Sequence, residues 1–129
     1  MLISLQRNPR ARRSTPAVNS QHAQLCRLLE TTVAATFAVP PDDMRTPTRG
    51  SPQAAFARQA SMYLAHVVLG CGFSEIGAVF DRDRTTVAHA CRTVEERRDN
   101  PAIDAVLQSL ENLCGELARG FFAESGAQR

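Results

Sequence analysis

Lysine and tryptophan are absent from this chain, and tyrosine occurs once. Because all 15 Lys/Arg positions are arginine, each of these cations is a planar fork that can grip phosphate or guanine with two hydrogen bonds. The low aromatic content, 5%, points to a small helical bundle built from Ala, Leu and Val rather than around large rings. No C-x-x-C pair occurs among Cys26, Cys71, Cys91 and Cys114. A zinc site wants paired ligands, so no metal is expected. Free, buried thiols in a reducing cytoplasm are expected instead. No window approaches the roughly 18 apolar residues of a membrane span. The N-terminus also lacks a sustained apolar run before its arginines, so neither a signal peptide nor a membrane partner is expected. No G-x-x-x-x-G-K-[ST] loop is found, which excludes a bound nucleotide of that type. No nucleophile elbow surrounds any serine, and His22, His66 and His89 lie far apart on different segments. No catalytic residue and no cofactor are therefore expected.

The chain has 129 residues and is 43% hydrophobic, enough for one domain with a core. Net charge is only +2, but it is unevenly spread. Arg7, Arg10, Arg12 and Arg13 crowd the front without an acid, whereas Asp99, Asp104, Glu111, Glu116 and Glu124 outnumber Arg119 and Arg129 at the back. A basic front and acidic back can orient a nearly neutral protein on DNA.

The most informative stretch is Arg82-Asp83-Arg84-Thr85-Thr86-Val87-Ala88-His89-Ala90-Cys91-Arg92. Asp83 is a good N-cap, because its carboxylate can accept from open N–H groups of a first helical turn. At about 100° per residue, Val87, Ala90, Cys91 and Val94 share one face. Thr85, His89 and Arg92 share the other, with Arg84 at the start. The segment thus has an apolar seat and a face of side chains that read base edges and grip phosphates. Upstream, Ser74 to Phe80 reads as a short helix capped by Ser74, with Ile76, Val79 and Phe80 inward. Gly77 there allows close packing. Only Asp81 and Arg82 separate the two helices, the spacing of a helix-turn-helix.

The rest of the chain supports that unit. Residues 1–19, broken by Pro9 and Pro16, read either as a basic arm for the minor groove or phosphates, or as a solvated tail. Leu25, Leu28, Leu29, Val33 and Phe37 have amphipathic helical spacing over 20–37, and Pro40-Pro41 stops that helix. Pro41 to Met44 is a turn onto a short helical piece, and Arg45 to Pro52 is a loop. Residues 53–69 form a long scaffold helix with Phe56, Ala60, Leu64, Val67 and Val68 on one side, ended by Gly70 and Gly72. Glu95 to Asp99 reads as a solvated charged stretch. Asn100 caps a last helix, with Pro101 at its first position. Ile103, Val106, Leu107, Leu110, Leu113, Cys114 and Leu117 make its apolar stripe. The subset 103, 106, 110, 113, 117 fits either packing on its own domain or a short dimer seam. In the tail, 119–129, Phe121-Phe122 either folds back on the first helix or offers a contact for a partner.

Three ordered blocks, Ala57 to Ala65, Phe73 to Gly77 and Arg82 to Arg92, resemble the C-terminal DNA-binding domain of DnaA, the bacterial replication initiator. The likeness runs from about Leu25 to Cys114. It implies an all-α domain of five to six helices over 20–118, of the Trp-repressor-like type, with a central helix-turn-helix. It implies double-stranded DNA as partner and a target like the DnaA box. Asp83, Arg84, Thr85, Thr86 and His89 would meet bases. Arg58, Arg82 and Arg92, with Ser74 at a helix N-terminus, would meet phosphates. Arg49, supported by Arg45, would enter the minor groove. The loop is less basic than the family's, with Gly50 and Pro52 at positions that tend to be basic there. Arg84 stands where the family usually has histidine and could favour a guanine. His66 stands where it often has lysine. About twenty residues precede the region, not an ATPase module, so a stand-alone regulator of transcription or replication initiation, located in the cytoplasm, is expected. The alternative is an interaction module that recruits a partner, or a second copy, through 101–122, with weak DNA binding. A ligand-gated dimer of the Trp-repressor kind is a third reading.

Overall fold

A computed structural model describes residues 20–45 and 50–127, with side chains through residue 124. Among the described residues the chain is all α. Its helices are α1 (Ser20–Thr36), α2 (Pro52–Val67), α3 (Phe73–Phe80), α4 (Arg84–Arg97) and α5 (Pro101–Ala127), with a 3₁₀ turn at Pro41–Met44. None of these helices is long and apolar enough to cross a membrane. The expected five to six helices and the helix-turn-helix are present. Residues 1–19, expected as a basic arm, and Arg49 lie outside the described residues.

Helix α2 is the axle of the domain. It touches α1, α3, α4, α5 and the 3₁₀ turn. Small residues make this possible. Ala57, Ala60, Ser61 and Ala65 are fully buried, so neighbouring helices approach from several sides. The buried Ser61 hydroxyl donates to the Ala57 carbonyl at 3.1 Å, leaving no orphan donor. A one-sided apolar stripe was expected for this helix. The observed burial wraps around it, and Val67 is exposed because α2 ends beside it. Around α2 close Val33 of α1, Ile76 of α3, Val87 and Val94 of α4, and Leu107 of α5, all fully buried.

The helix ends follow local chemistry, with two departures from expectation. Helix α1 stops before the prolines. Ala38 takes the left-handed conformation at φ 55°. Its N–H reaches the Ala35 carbonyl at 3.2 Å, and the next N–H, that of Val39, reaches Ala34 at 2.8 Å. That is a Schellman closure made without glycine. Helix α3 begins at Phe73, and its N-cap is Gly72, not Ser74. The Gly72 carbonyl already accepts from Ile76 at 2.9 Å, which places Ser74 inside the first turn. At the end of α2, Gly70 has φ +75° and donates to His66 at 3.2 Å, as its glycine implied. His66 bonds the Cys71 carbonyl through Nδ1 at 2.9 Å and lies tilted against Phe73, 4.7 Å between ring centres. A carbonyl only accepts, so Nδ1 carries the proton. In this protein His66 fastens the turn into α3.

In the charged stretch at the end of α4, Glu95, Glu96, Arg97 and Asp99 are exposed as expected, but Arg98 is not. Arg98 is only 15% exposed in its side chain and sits between α2, α4 and α5. Its Nε donates to Asp104 at 2.6 Å, and its Nη1 to Glu111 at 2.5 Å and to the Tyr63 hydroxyl at 3.1 Å. Tyr63 in turn donates to Glu95 at 2.6 Å. Burial opposes the charge on Arg98, but Asp104, Glu111 and Tyr63 outweigh it and raise the guanidinium pKa above its usual value. Asn100 caps α5 as expected, accepting from Ala102 and Ile103 at 2.9 and 3.3 Å.

Along α5, Leu107, Leu110 and Cys114 face the domain while Val106 and Leu113 face out. Only part of the stripe therefore packs on its own chain. The helix also runs on through Gly120 to Ala127, across the segment expected to be a tail. Phe122 lies edge-on to His22 of α1, 6.3 Å between ring centres, and to Phe121 at 5.6 Å. That contact sets the end of α5 against α1, although Phe122 stays 40% exposed.

Candidate nucleic-acid interface

The interface is built on the turn between α3 and α4. Asp81 is left-handed (φ 58°), and both it and Arg82 direct their N–H groups at the Gly77 carbonyl, Arg82 at 2.9 Å. The returning chain lies so close to α3 that a β-carbon on residue 77 would collide with the Arg82 carbonyl oxygen. Only glycine fits, so the close packing expected at Gly77 is a steric requirement of this turn. Asp83 then opens α4. Its carboxylate accepts from the Thr86 N–H at 2.8 Å, and that hydrogen bond lowers the Asp83 pKa.

Beyond the cap, α4 divides as its sequence pattern requires. Val87, Ala90, Cys91 and Val94 are buried, and Arg84, Thr85, Thr86, His89 and Arg92 are exposed. Arg84 lies over the Phe73 ring at 5.9 Å, a cation–π contact that holds the side chain at the start of α4.

An open groove of about 390 Å³ runs between this face and the start of α2. Arg58, Gln59, Arg82, Thr86, His89 and Arg97 line it, with Phe56 and Met62 among its apolar walls. No carboxylate is found among its described lining residues. Arg58 is anchored by donation to the Asp43 carbonyl at 2.8 Å, and Arg82 by donation to Asp81 at 3.2 Å. Four expected site residues, Arg58, Arg82, Thr86 and His89, are thus gathered around one space. Arg84, Thr85 and Arg92 stand on the open side of the same helix. Ser74 is exposed in the first turn of α3 but does not line the groove. Arg45 pairs with the buried Glu30 at 3.0 Å and remains half-exposed, so part of its charge is already compensated.

Arg97 was not foreseen as a groove residue. Its guanidinium lies 4.6 Å from the Phe56 ring centre, on the groove wall. The signal was in the spacing, since Thr86, Ala90 and Arg97 are separated by four and seven residues and so share a helical stripe. What hid it was the neighbouring run of charges.

A capped helix with an apolar seat, a polar outer face and an acid-free groove of arginines defines a helix-turn-helix module of the DNA-binding kind, not a catalytic one. The sequence profile described as "Bacterial dnaA protein helix-turn-helix" matches residues 27–94, over half of the chain. The chain belongs to that family, with the fold of the initiator's C-terminal helix-turn-helix domain. It is similar to the chromosomal replication initiator protein DnaA 2 of Chlamydia pneumoniae, at 37% identity over 64% of this chain and 17% of that one. It is also similar to the DnaA protein of Treponema denticola, at 31% identity over 69% of this chain and 19% of that one. A crystal structure of a DNA replication initiation factor superposes with a TM-score of 0.68 at 27% identity, over 87% of this chain and 32% of that one. The chain therefore spans about a fifth of the length of the curated relatives it matches.

Proposed function

We propose that this protein binds double-stranded DNA with sequence preference at sites resembling the DnaA box, and so regulates transcription or the initiation of replication. The observation that carries the reading is the gathering of Arg58, Arg82, Thr86 and His89 around one acid-free groove beside the exposed face of α4. In this proposal α4 lies in the major groove. Arg84, Thr85, Thr86 and His89 meet base edges, and the Asp83 carboxylate accepts from a cytosine amino group. Arg58, Arg82 and Arg92 meet phosphates, with Ser74 at the start of α3. Arg97, stacked on Phe56, joins them. Arg84, in place of the family's usual histidine, favours a guanine at its position. Arg45 and Arg49 reach toward the minor groove, with Arg45 giving up part of its bond to Glu30.

The test is fluorescence anisotropy on a DnaA-box duplex and a scrambled duplex of equal length, over a series of salt concentrations. The expected result is tighter binding to the box, tenfold for about every 1.4 kcal/mol of readout, and a gap that survives added salt. Equal binding to both duplexes, fading steeply with salt, would leave only the phosphate contribution and sink the readout.

A second reading, recruitment of a protein partner or a second copy through 101–122, is favoured by one feature. Val106, Leu113 and Phe122 of α5 are large, apolar and exposed. Loss of DNA binding in a folded Thr85→Ala, Arg92→Ala double variant that keeps its cellular phenotype would favour that reading over the first.

A further inference from the structure

The first helix and the start of the helix-turn-helix meet at a cluster of metal-ligand side chains. His22 comes from α1, Cys71 from the loop entering α3, and Glu75 from the first turn of α3. His22 Nδ1 lies 3.0 Å from Glu75 Oε2, and Cys71 Sγ lies 3.7 Å from the same nitrogen. All three ligand atoms fall within 4.8 Å of one another. In a tetrahedral zinc site, bonds of about 2.0–2.3 Å place neighbouring ligand atoms about 3.4–3.6 Å apart. The two shorter separations already bracket that value, and the third, between Cys71 and Glu75, lies within 4.8 Å and closes as the ligands turn onto one ion. Cys71 is buried, whereas His22 and Glu75 keep about a quarter and a fifth of their side chains exposed, 27% and 21%, which leaves one side open to solvent. Cys26, one helical turn after His22 and fully buried, interacts with the Cys71 thiol. Ligands to metals are commonly oriented by such outer partners.

We propose that His22, Cys71 and Glu75 form a binding site for one zinc-class divalent ion that clamps α1 to the start of the helix-turn-helix. One nitrogen, one sulfur and one carboxylate oxygen suit a borderline ion such as zinc, and disfavour magnesium and calcium, which want oxygen alone. On binding, the Cys71 thiol loses its proton to solvent and its sulfur bonds the ion. His22 and Glu75 exchange their direct contact for bonds to it, the proton leaving His22 Nδ1 for solvent or, by tautomerisation, for Nε2, and water takes the fourth corner. Sequence spacing conceals such a site, since the pairing of His22 with Cys71 and Glu75 is made by the fold and not by a C-x-x-C run.

The experiment uses the full chain, reduced and stripped with a chelator, and titrated with Co²⁺ followed by Zn²⁺. The expected result is one equivalent of Co²⁺ with a sulfur-to-cobalt charge-transfer band, erased by one equivalent of Zn²⁺. Zinc at about 100-fold over its Kd should raise the melting temperature by roughly 5–10 °C. Cys71→Ser should lose the band and Cys114→Ser should keep it. His22→Ala and Glu75→Gln should each weaken binding at least tenfold. Circular dichroism checks that each variant is helical. If Cys71→Ser does not fold, the shape-conserving Glu75→Gln decides the matter. No band in the reduced wild-type chain overturns the site. So does a band that survives Cys71→Ser, or an affinity unchanged in both folded His22→Ala and Glu75→Gln.

Discussion

Arg92 and Arg98 stand six residues apart, one on α4 and one at its C-terminal end, yet the fold uses them in opposite ways. Arg92 points into solvent on the face proposed to meet DNA. Arg98 is enclosed by Asp104, Glu111 and Tyr63 and ties α4 to α5 and α2. The same side chain thus serves as a binding group where α4 faces solvent and as a fastening where two other helices close over it. A cation is available to phosphate only where the protein has not supplied its own anions.

Substitutions can break this contrast, and the largest effect is expected where the two halves of the helix-turn-helix touch. Gly77→Val should cost about 3 kcal/mol, because the new side chain must displace the Arg82 backbone. Urea denaturation measures the cost, and DNA affinity should fall with it as the turn deforms. Arg98→Ala should cost about 2 kcal/mol by the same measurement, since it strands Glu111 and Tyr63 without their donor. Its DNA affinity should be unchanged while the protein is folded. Arg92→Ala should do the reverse, leaving stability within about 0.5 kcal/mol and lowering the slope of log affinity against log salt by about one. If the two arginine variants behave alike, the division of labour is wrong.

The smaller effects concern helix ends. Hydrogen bonding from Thr86 lowers the Asp83 pKa in the folded protein. Its contribution to stability is therefore complete above the unfolded value, near pH 4, and is lost as pH falls through the depressed folded value. Asp83→Asn should keep a working cap and flatten that acid limb of the stability curve, as followed by circular dichroism. Ala38→Gly, at φ 55°, should gain about 0.5 kcal/mol by removing the left-handed penalty on alanine. A loss there would mean that the Ala38 methyl group contributes more than its strained backbone costs.

Much of the site could be read before the fold. The Asp83 cap and the division of α4 into buried Val87, Ala90, Cys91, Val94 and exposed Thr85, His89, Arg92 follow from helical periodicity, and both are present. The turn at Gly77 and the Asn100 cap were legible for the same reason, as each depends on neighbours a few residues away. Errors arose where distant elements intervened. Arg98 looks as solvated as its exposed neighbours Glu95, Glu96, Arg97 and Asp99, because nothing local reveals that Tyr63 and Glu111 surround it. Ser74 looks like a cap, but Gly72 was free to start α3 earlier. Val67 looks inward by spacing, but α2 stops there.

Local order is therefore what the amino-acid sequence determined alone: the helices, the Asp83 and Asn100 caps, an apolar seat and a polar face on α4, and a chain whose only Lys/Arg cations are arginines. These depend on spacings of three and four residues, which a linear sequence displays directly. Tertiary structure alone decided which charges remain available. It placed Arg58 and Arg97 on one groove, closed Arg98 inside the domain, and brought His22 to Cys71 and Glu75 across some fifty positions. Charge availability depends on desolvation and on opposite charges a few ångströms away, and those neighbours are chosen only when the helices pack.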